Sequence, residues 1–327
     1  MPIVSHLLEF HNRYIFPFRS RSPPGALICC FFLINQLKEG FMDFLKKYRR
    51  MISNRGLTEH TVISYTTYIS AYLDFVRDTL HKFPSQVTYN DIRRFLTLLK
   101  EKRGLSDRTI NCAIAQIRFF TLYVLHKPWD PTQIPTRKFD TYLPYVPSQE
   151  AANYFIESVR NPKQKAMLCL LYGSGLRIGE VCSLRYEDIQ GKSRRIHIRH
   201  GKNRSDRYAI LPDRSLEILT EYWFACGKPR GWLFPKQHNN EAPIDTFYLA
   251  RHIREHEDEL GWEHHLSCHS FRHAFGTHLY ENGTDILTIK ELMGHKSLTS
   301  TIIYVHLART PGTSALSPFG RKGGTDV

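Results

Sequence analysis

His269-Ser270-Phe271-Arg272-His273 sets an imidazole and a guanidinium three residues apart, on one face of a helix. Gly294-His295 and then Tyr304 follow. Well upstream stands Gly173-Ser174-Gly175-Leu176-Arg177-Ile178-Gly179-Glu180. Two guanidiniums, two imidazoles and a phenol are suited to attacking a phosphodiester without a metal. Phosphoryl transfer needs charge held on the non-bridging oxygens, a nucleophile, and a proton donor for the leaving oxygen. Arginine suits the first task because its planar fork grips two phosphate oxygens. Arg177 follows two glycines whose tight turn lets a helix start present it. Tyr304 as nucleophile needs help, since a phenol ordinarily titrates at about 10; His295 and the arginines are placed to give it. Gly294 supplies a turn, and Ser297 stands where it would cap a short helix carrying Tyr304.

The proton donor is sought in a hairpin. Arg195-Ile196-His197-Ile198-Arg199 alternates with period two, as does Arg207-Tyr208-Ala209-Ile210-Leu211. Lys202 falls in the basic turn between them, where a flexible ammonium can reach a leaving oxygen. Lys192 and Arg204 compete for that task.

His264, His265, Cys268, His269, His273 and His278 are dense enough to raise zinc, and H-x-x-x-H stacks two imidazoles one turn apart. A metalloprotease helix needs Glu after the first His, however, and this chain has Ser270. Arg272 between the histidines repels a dication. No Asp/Glu cluster offers ligands for a two-metal nuclease. No metal and no cofactor is expected, and His273 and His278 read as structural.

The elements that must position these groups fall into two units. Thr58 precedes Val62, Tyr65, Ile69, Tyr72, Leu73 and Phe75, a helical period. Thr88-Tyr89-Asn90-Asp91 and Ser106-Asp107 open two further helices. With the segment that starts at Met42, four helices make a small bundle over 42–127. Lys46, Lys47, Arg93, Arg94, Arg108 and Arg118 fall on its polar faces and are candidate DNA contacts, as is Arg204 in the hairpin turn. Five prolines, Pro128, Pro131, Pro135, Pro144 and Pro147, make 128–147 an extended linker. Residues 148–306 mix helices near 148, 166–172, 213–225, 245–258, 269–281 and 285–292 with the hairpin. No β-α-β alternation appears, so a doubly wound sheet is not expected. Residues 1–41 carry no motif and read as an extension ahead of an alternative start at Met42. The Gly- and Pro-rich tail 307–327 reads as flexible.

The bulk numbers agree. The chain has 327 residues, enough for about two domains. Forty-five Lys and Arg against 31 Asp and Glu leave a net charge of +14, which favours a polyanion partner. Hydrophobic residues at 42% exclude wholesale disorder. Seven scattered cysteines without a C-x-x-C pair fit a reducing compartment with buried thiols. No apolar run approaches the roughly 18–20 residues of a membrane span.

At these residues the chain resembles the tyrosine recombinase (phage-integrase) family, most closely its simple two-domain Xer-type members. The likeness spans about 42–306: the helical unit, the G-x-G-x-R-x-x-E box, the lysine hairpin, H-x-x-R, G-H, and Tyr304 nine residues past His295. It implies a mostly α fold with a small β-hairpin or sheet. An N-terminal four-helix SAM-like core-binding domain would be joined to an α+β catalytic domain, together forming a C-shaped clamp on DNA. It implies that Tyr304 forms a 3′-phosphotyrosyl link, freeing a 5′-hydroxyl that reseals a partner strand through a Holliday junction. Arg177, Arg272 and His295 would hold the phosphate, His269 would assist proton transfer, Lys202 would be general acid, and Glu180 would orient the arginines. Partners would be double-stranded recombination sites and, on synapsed DNA, a homotetramer or heterotetramer, in the cytoplasm at the nucleoid. The tail, with Pro311, Gly312, Pro318, Gly320, Gly323 and Gly324, departs from the family's C-terminal docking helix. A type IB topoisomerase and a DNA-binding protein with a decayed site are the alternatives.

Overall fold

The computed structural model describes residues 40–140, 142–199, 206–237 and 239–308. The sequence expectations for Lys202, Arg204, 1–39 and the tail from 309 lie outside them. The chain divides into two compact units, one ending at Thr141 and the other beginning at Tyr142.

The first unit is helical. Helix α1 spans 40–53. Helix α2 (Glu59–Asp78) starts where Thr58 Oγ1 accepts the Thr61 N–H, and α3 (Tyr89–Glu101) starts at a reciprocal Thr88–Asp91 capping box. Helix α4 (Asp107–Phe119) is capped by Ser106 and runs on as one π-helical turn, Phe120–Val124. Tyr48, Ile69, Tyr72, Phe95, Ile110 and Phe120 are fully buried among these helices. Tyr72 meets Phe95 edge-on at 5.4 Å between ring centroids.

Two boundaries differ from the sequence reading. Phe41, one residue before Met42, is 4% exposed and packs in the bundle core. Phe41, Tyr48 and Ile52 share the buried stripe of α1, so a start at Met42 cuts into the core. The first half of the Pro-rich stretch is no free spacer either. Trp129 meets Tyr89 edge-on, Ile134 is buried, and Asn111 and Arg137 exchange hydrogen bonds of 2.9 and 2.8 Å.

The second unit is α+β. Helix α5 (Gln149–Ser158) is capped by Ser148, and α6 (Pro162–Gly173) by Asn161, with Pro162 in its first turn. Six consecutive residues of α6, Ala166 to Leu171, are buried, so this helix is the unit's centre; it packs against α8 (Asp213–Ala225) and α10 (Cys268–Glu281). Between them lie the five-residue α7 (Ile178–Cys182) and an antiparallel sheet. The sheet comprises β1 (Ile189–Gln190), β2 (Arg195–Ile198) and β3 (Arg207–Ile210), in that order. The hairpin register pairs Ile196 with Ala209, turning Ile196, Ile198 and Ala209 inward. A second hairpin, β4 (Pro235–Lys236) with β5 (Asn239–Pro243), had no alternation to announce it. Helices α9 (Thr246–Leu260), α11 (Ile286–Met293) and α12 (Thr299–Leu307) complete the unit. Helix α12 begins one residue later than its expected cap: Leu298 occupies the N-cap position, while Ser297 Oγ still accepts the Thr299 N–H at 3.2 Å.

Among the described residues, Cys169, Cys182 and Cys268 are buried thiols, as expected, whereas Cys112 and Cys226 are exposed. Among the described residues no helix is long and apolar enough to cross a membrane.

Candidate active site

The site is built around the C-terminal turn of α11. That helix ends at Gly294, which takes the left-handed conformation (φ 62°). The Gly294 N–H donates to Glu291 O and the His295 N–H to Lys290 O, both at 3.0 Å. This reversal occupies two of the helix's orphan carbonyls and leaves the next three, of Leu292, Met293 and Gly294, facing outward. Each receives one arginine. Arg207 Nη1 donates to Leu292 O at 2.8 Å, Arg272 Nη2 to Met293 O at 2.5 Å, and Arg177 Nη2 to Gly294 O at 3.0 Å. The negative end of the helix dipole adds to the attraction.

Three elements bring those arginines in. Arg177 is the N-cap residue of α7, set there by the turn at Gly175 (φ 62°). Phe275 packs so closely on Gly175 that a Cβ there would sit 2.3 Å from its ring. Arg272 lies in the first turns of α10, 4% exposed, and also donates to Gly175 O. Arg207 is the first residue of β3. Glu180 binds two of them: its carboxylate accepts the Arg177 backbone N–H at 2.8 Å, Arg177 Nη1 at 2.7 Å and Arg207 Nη2 at 2.8 Å. Burial favours the neutral acid, but Arg207 and Arg177 outweigh it and hold the carboxyl below its ordinary range. Burial, then Arg177, pulls the Arg272 guanidinium down to about 10, still charged at neutral pH.

His295 continues from the turn. Arg272 Nη2 approaches its Nε2 at 3.2 Å and Thr301 Oγ1 lies 3.0 Å from its Nδ1. A guanidinium only donates, so Nε2 is the acceptor and the proton sits on Nδ1, toward the fully buried Thr301. Burial, then the arginines, pulls this histidine down to about 4, in accord with a neutral ring. Tyr304 stacks on His295 at 6.0 Å between centroids, and the His273 ring lies tilted 5.9 Å away. The phenol is 1% exposed. Burial raises it to about 12 against the pull of Arg272 and Arg177. Its ring lies on the backbone of Gly276, where a Cβ would come within 2.7 Å of it.

Arg177, Glu180, Arg272, His295 and Tyr304 are thus brought together. His269 stands exposed at the start of α10, 6.3 Å from His273 between centroids. Lys202 and Arg204 lie outside the described residues. His273 is pulled down to about 4 by burial, then His269, and its buried Nδ1 has no hydrogen-bond partner. The other histidines of the dense run go elsewhere: His265 to Glu257 at 2.9 Å, His278 to Tyr172 at 2.9 Å, and His264 against the Tyr145 ring. Among the described residues no three His, Cys, Asp or Glu side chains converge as ligands would. Lys46, Lys47, Arg93, Arg94, Arg108 and Arg118 are all exposed on the helical unit.

Sequence reasoning missed Arg207, Thr301 and Gly276. Arg207 did leave a signal, since it shares the inward face of β3 with Ala209. An arginine at a core-facing strand position demands a buried partner.

Comparison with known proteins adds the following. The phage integrase family profile matches residues 149–310, and that of the phage integrase N-terminal SAM-like domain matches residues 44–131. Sinorhizobium fredii has two integrase/recombinases among the relatives. The one called y4eF is 34% identical over 70% of this chain and 91% of the relative; y4qK is 33% identical over 81% and 84%. The tyrosine recombinase XerD of Oceanobacillus iheyensis is 30% identical, over 83% of this chain and 93% of its own. The fold is also that of the Tn1549 transposon integrase solved with circular intermediate DNA (TM-score 0.62, 19% identity, 80% of this chain and 94% of that one). It is shared with the XerH recombinase bound to difH (TM-score 0.62, 19% identity, 75% and 77%).

Proposed function

The chain belongs to the phage integrase family and is a site-specific recombinase of the tyrosine type, and on that premise we propose how its own residues do the work. The observation that carries the reading is the convergence of Arg177, Arg272, His295 and Tyr304 on one helix turn. Arg177 and Arg272 bind the non-bridging oxygens of the scissile phosphate with the N–H groups not spent on carbonyls. Tyr304 Oη attacks phosphorus, and the bond to the 5′ oxygen breaks. The products are a 3′-phosphotyrosyl link and a free 5′-hydroxyl, and the same hydroxyl on a partner strand reverses the step. The bond energy stays in the ester, so no nucleotide is consumed and no metal is required.

A phenol at about 12 must lose its proton as it attacks, and His269, exposed on α10, assists that transfer. Lys202 protonates the leaving 5′ oxygen. In the unliganded protein His295 Nε2 accepts from Arg272. When a phosphate arrives, its negative charge raises the affinity of Nε2 for a proton and turns His295 into a donor. Glu180 keeps the Arg177 fork in register. Lys46, Lys47, Arg93, Arg94, Arg108, Arg118 and Arg204 contact the DNA backbone around the site. Four protomers, of one kind or two, assemble on synapsed duplexes, in the cytoplasm at the nucleoid.

A nicked suicide duplex tests this. Wild-type protein should become covalently attached in EDTA, and mass spectrometry of the digested adduct should place the nucleotide on Tyr304. Attachment at another residue, or attachment only after a divalent metal is restored, rejects the assignment. Relaxation of supercoils without exchange between two sites would point to a topoisomerase instead.

A further inference from the structure

Arg207 is absent from the proposed chemistry, yet it is more deeply buried than Arg177: its side chain is 14% exposed against 21%. Its fork is occupied, Nη1 by Leu292 O and Nη2 by Glu180, and its Nε is buried without a partner. Arg177 spends its two Nη atoms in the same way, so what sets Arg207 apart is its greater burial and its enclosed Nε, which leave it less open to a phosphate. The geometry points to Arg207 as a positioning residue that fixes Glu180, and through it the Arg177 fork, while tying strand β3 to the C-terminal turn of α11. The proposal rests on the reading of Arg177 as a phosphate-binding residue.

Two observations carry it. Glu180 Oε2 is shared between the Arg177 backbone and Arg207, while Oε1 takes the Arg177 guanidinium. With Arg207 in place, two guanidiniums face one carboxylate and a positive charge remains for the phosphate. Without it, Glu180 neutralises Arg177 one to one, and a buried carboxylate short of partners pulls that fork toward itself. The second observation is Gly294. A Cβ there would lie 2.5 Å from Arg207 Nε and 2.6 Å from its Cδ, so the turn that carries His295 is shaped around the Arg207 stem. Strand β3, which leaves the hairpin turn, is thereby fastened to the segment from which His295 and Tyr304 follow.

The test compares Arg207→Gln, Arg207→Lys and Arg177→Lys in single-turnover cleavage of a suicide substrate, alone and combined. Arg207→Gln should slow cleavage by about 10²-fold, with the Kd for the uncleaved site within about threefold of wild type. Arg207→Lys should lose about tenfold, because one ammonium cannot span Glu180 and Leu292 O together. On top of Arg177→Lys, Arg207→Gln should cost less than about threefold more, since both act through one fork. Normal cleavage by Arg207→Gln overturns the proposal, as does a multiplicative loss in the double variant or full activity of Arg207→Lys. Where Arg207→Gln does not fold, Arg207→Lys carries the test. Normal cleavage by Arg177→Lys would instead reject the parent reading.

Discussion

Arg94 and Arg118 of the helical unit stand exposed, Arg93, also exposed, donates to Gln133 Oε1 at 2.8 Å, and Arg108 lies over the Phe139 ring at 4.7 Å. In the other unit Arg207 and Arg272 are buried, each with two or more acceptors arranged for it. Exposed cations meet phosphates by releasing counterions; each adds a little, and one can stand in for another. A buried guanidinium costs several kcal/mol to desolvate. That cost is offset by the carbonyls at the end of α11, and the result is a fork already aimed before any substrate arrives. On the proposed reading one unit is organised for grip and the other for geometry, and the difference can be pressed from both sides.

The largest effect belongs to the geometric side. Tyr304→Phe should bind the site with unchanged Kd yet yield no covalent adduct on a denaturing gel, because a single oxygen is removed. An adduct band of wild-type strength would place the nucleophile elsewhere. Next comes Arg272→Lys, which keeps charge but loses the fork shared among Gly175 O, Met293 O and His295. Cleavage should fall by at least about 10²-fold with little change in affinity. A loss confined to Kd would make Arg272 one more gripping cation and erase the contrast.

Acid should also divide the units. His273 and His295 are held near 4, below the ordinary 6.5, so the folded catalytic unit binds fewer protons than the unfolded chain between those values. Its stability is full above about 6.5 and declines as pH falls toward 4. Calorimetry at pH 7, 6 and 5 should show that decline, and NMR titration should find both rings neutral at pH 6. Protonation of either ring near 6.5 contradicts the burial argument.

The smallest effects lie on the gripping side. Arg93→Ala or Arg118→Ala should leave the cleavage rate of bound DNA intact. Each should reduce the slope of log K against log salt by about 0.9, from about −7 for a protein touching about 8 phosphates. A single exposed substitution that cut the cleavage rate tenfold would mean that this unit also shapes the chemistry.

Much of this contrast was legible in the chain. Thr58, Thr88, Ser106 and Ser148 announced their helices because a cap is a local event, one side chain meeting a backbone N–H a few residues on. The β2–β3 hairpin was written in its alternation. Arg177, Arg272, His295 and Tyr304, which the fold brings together, stood out because their residue types and order match a known chemistry. Arg207 escaped because its partners, Glu180 and Leu292, lie 27 and 85 residues away and no spacing rule connects them. Phe41 was lost to the presence of Met42 beside it, although the stripe of α1 runs through it. Burial of Trp129 and Ile134 was masked by prolines that read as a spacer, and the β4–β5 hairpin has too few alternating residues to be seen.

The turn at Gly294 also bears on the time before the protein is finished. Its carbonyl cradle fills only when Arg177 and Arg207 meet residues 117 and 85 positions further on, and when Gly175 O takes Arg272, 97 positions on. A ribosome adding about 5–20 residues each second needs on the order of ten seconds to cover that interval. Throughout it the helical unit, made first, has its whole core, while the proposed catalytic centre has no carbonyl cradle, no aimed forks and no tyrosine. On the proposed reading, a half-made chain can touch DNA before it has any means of nicking it.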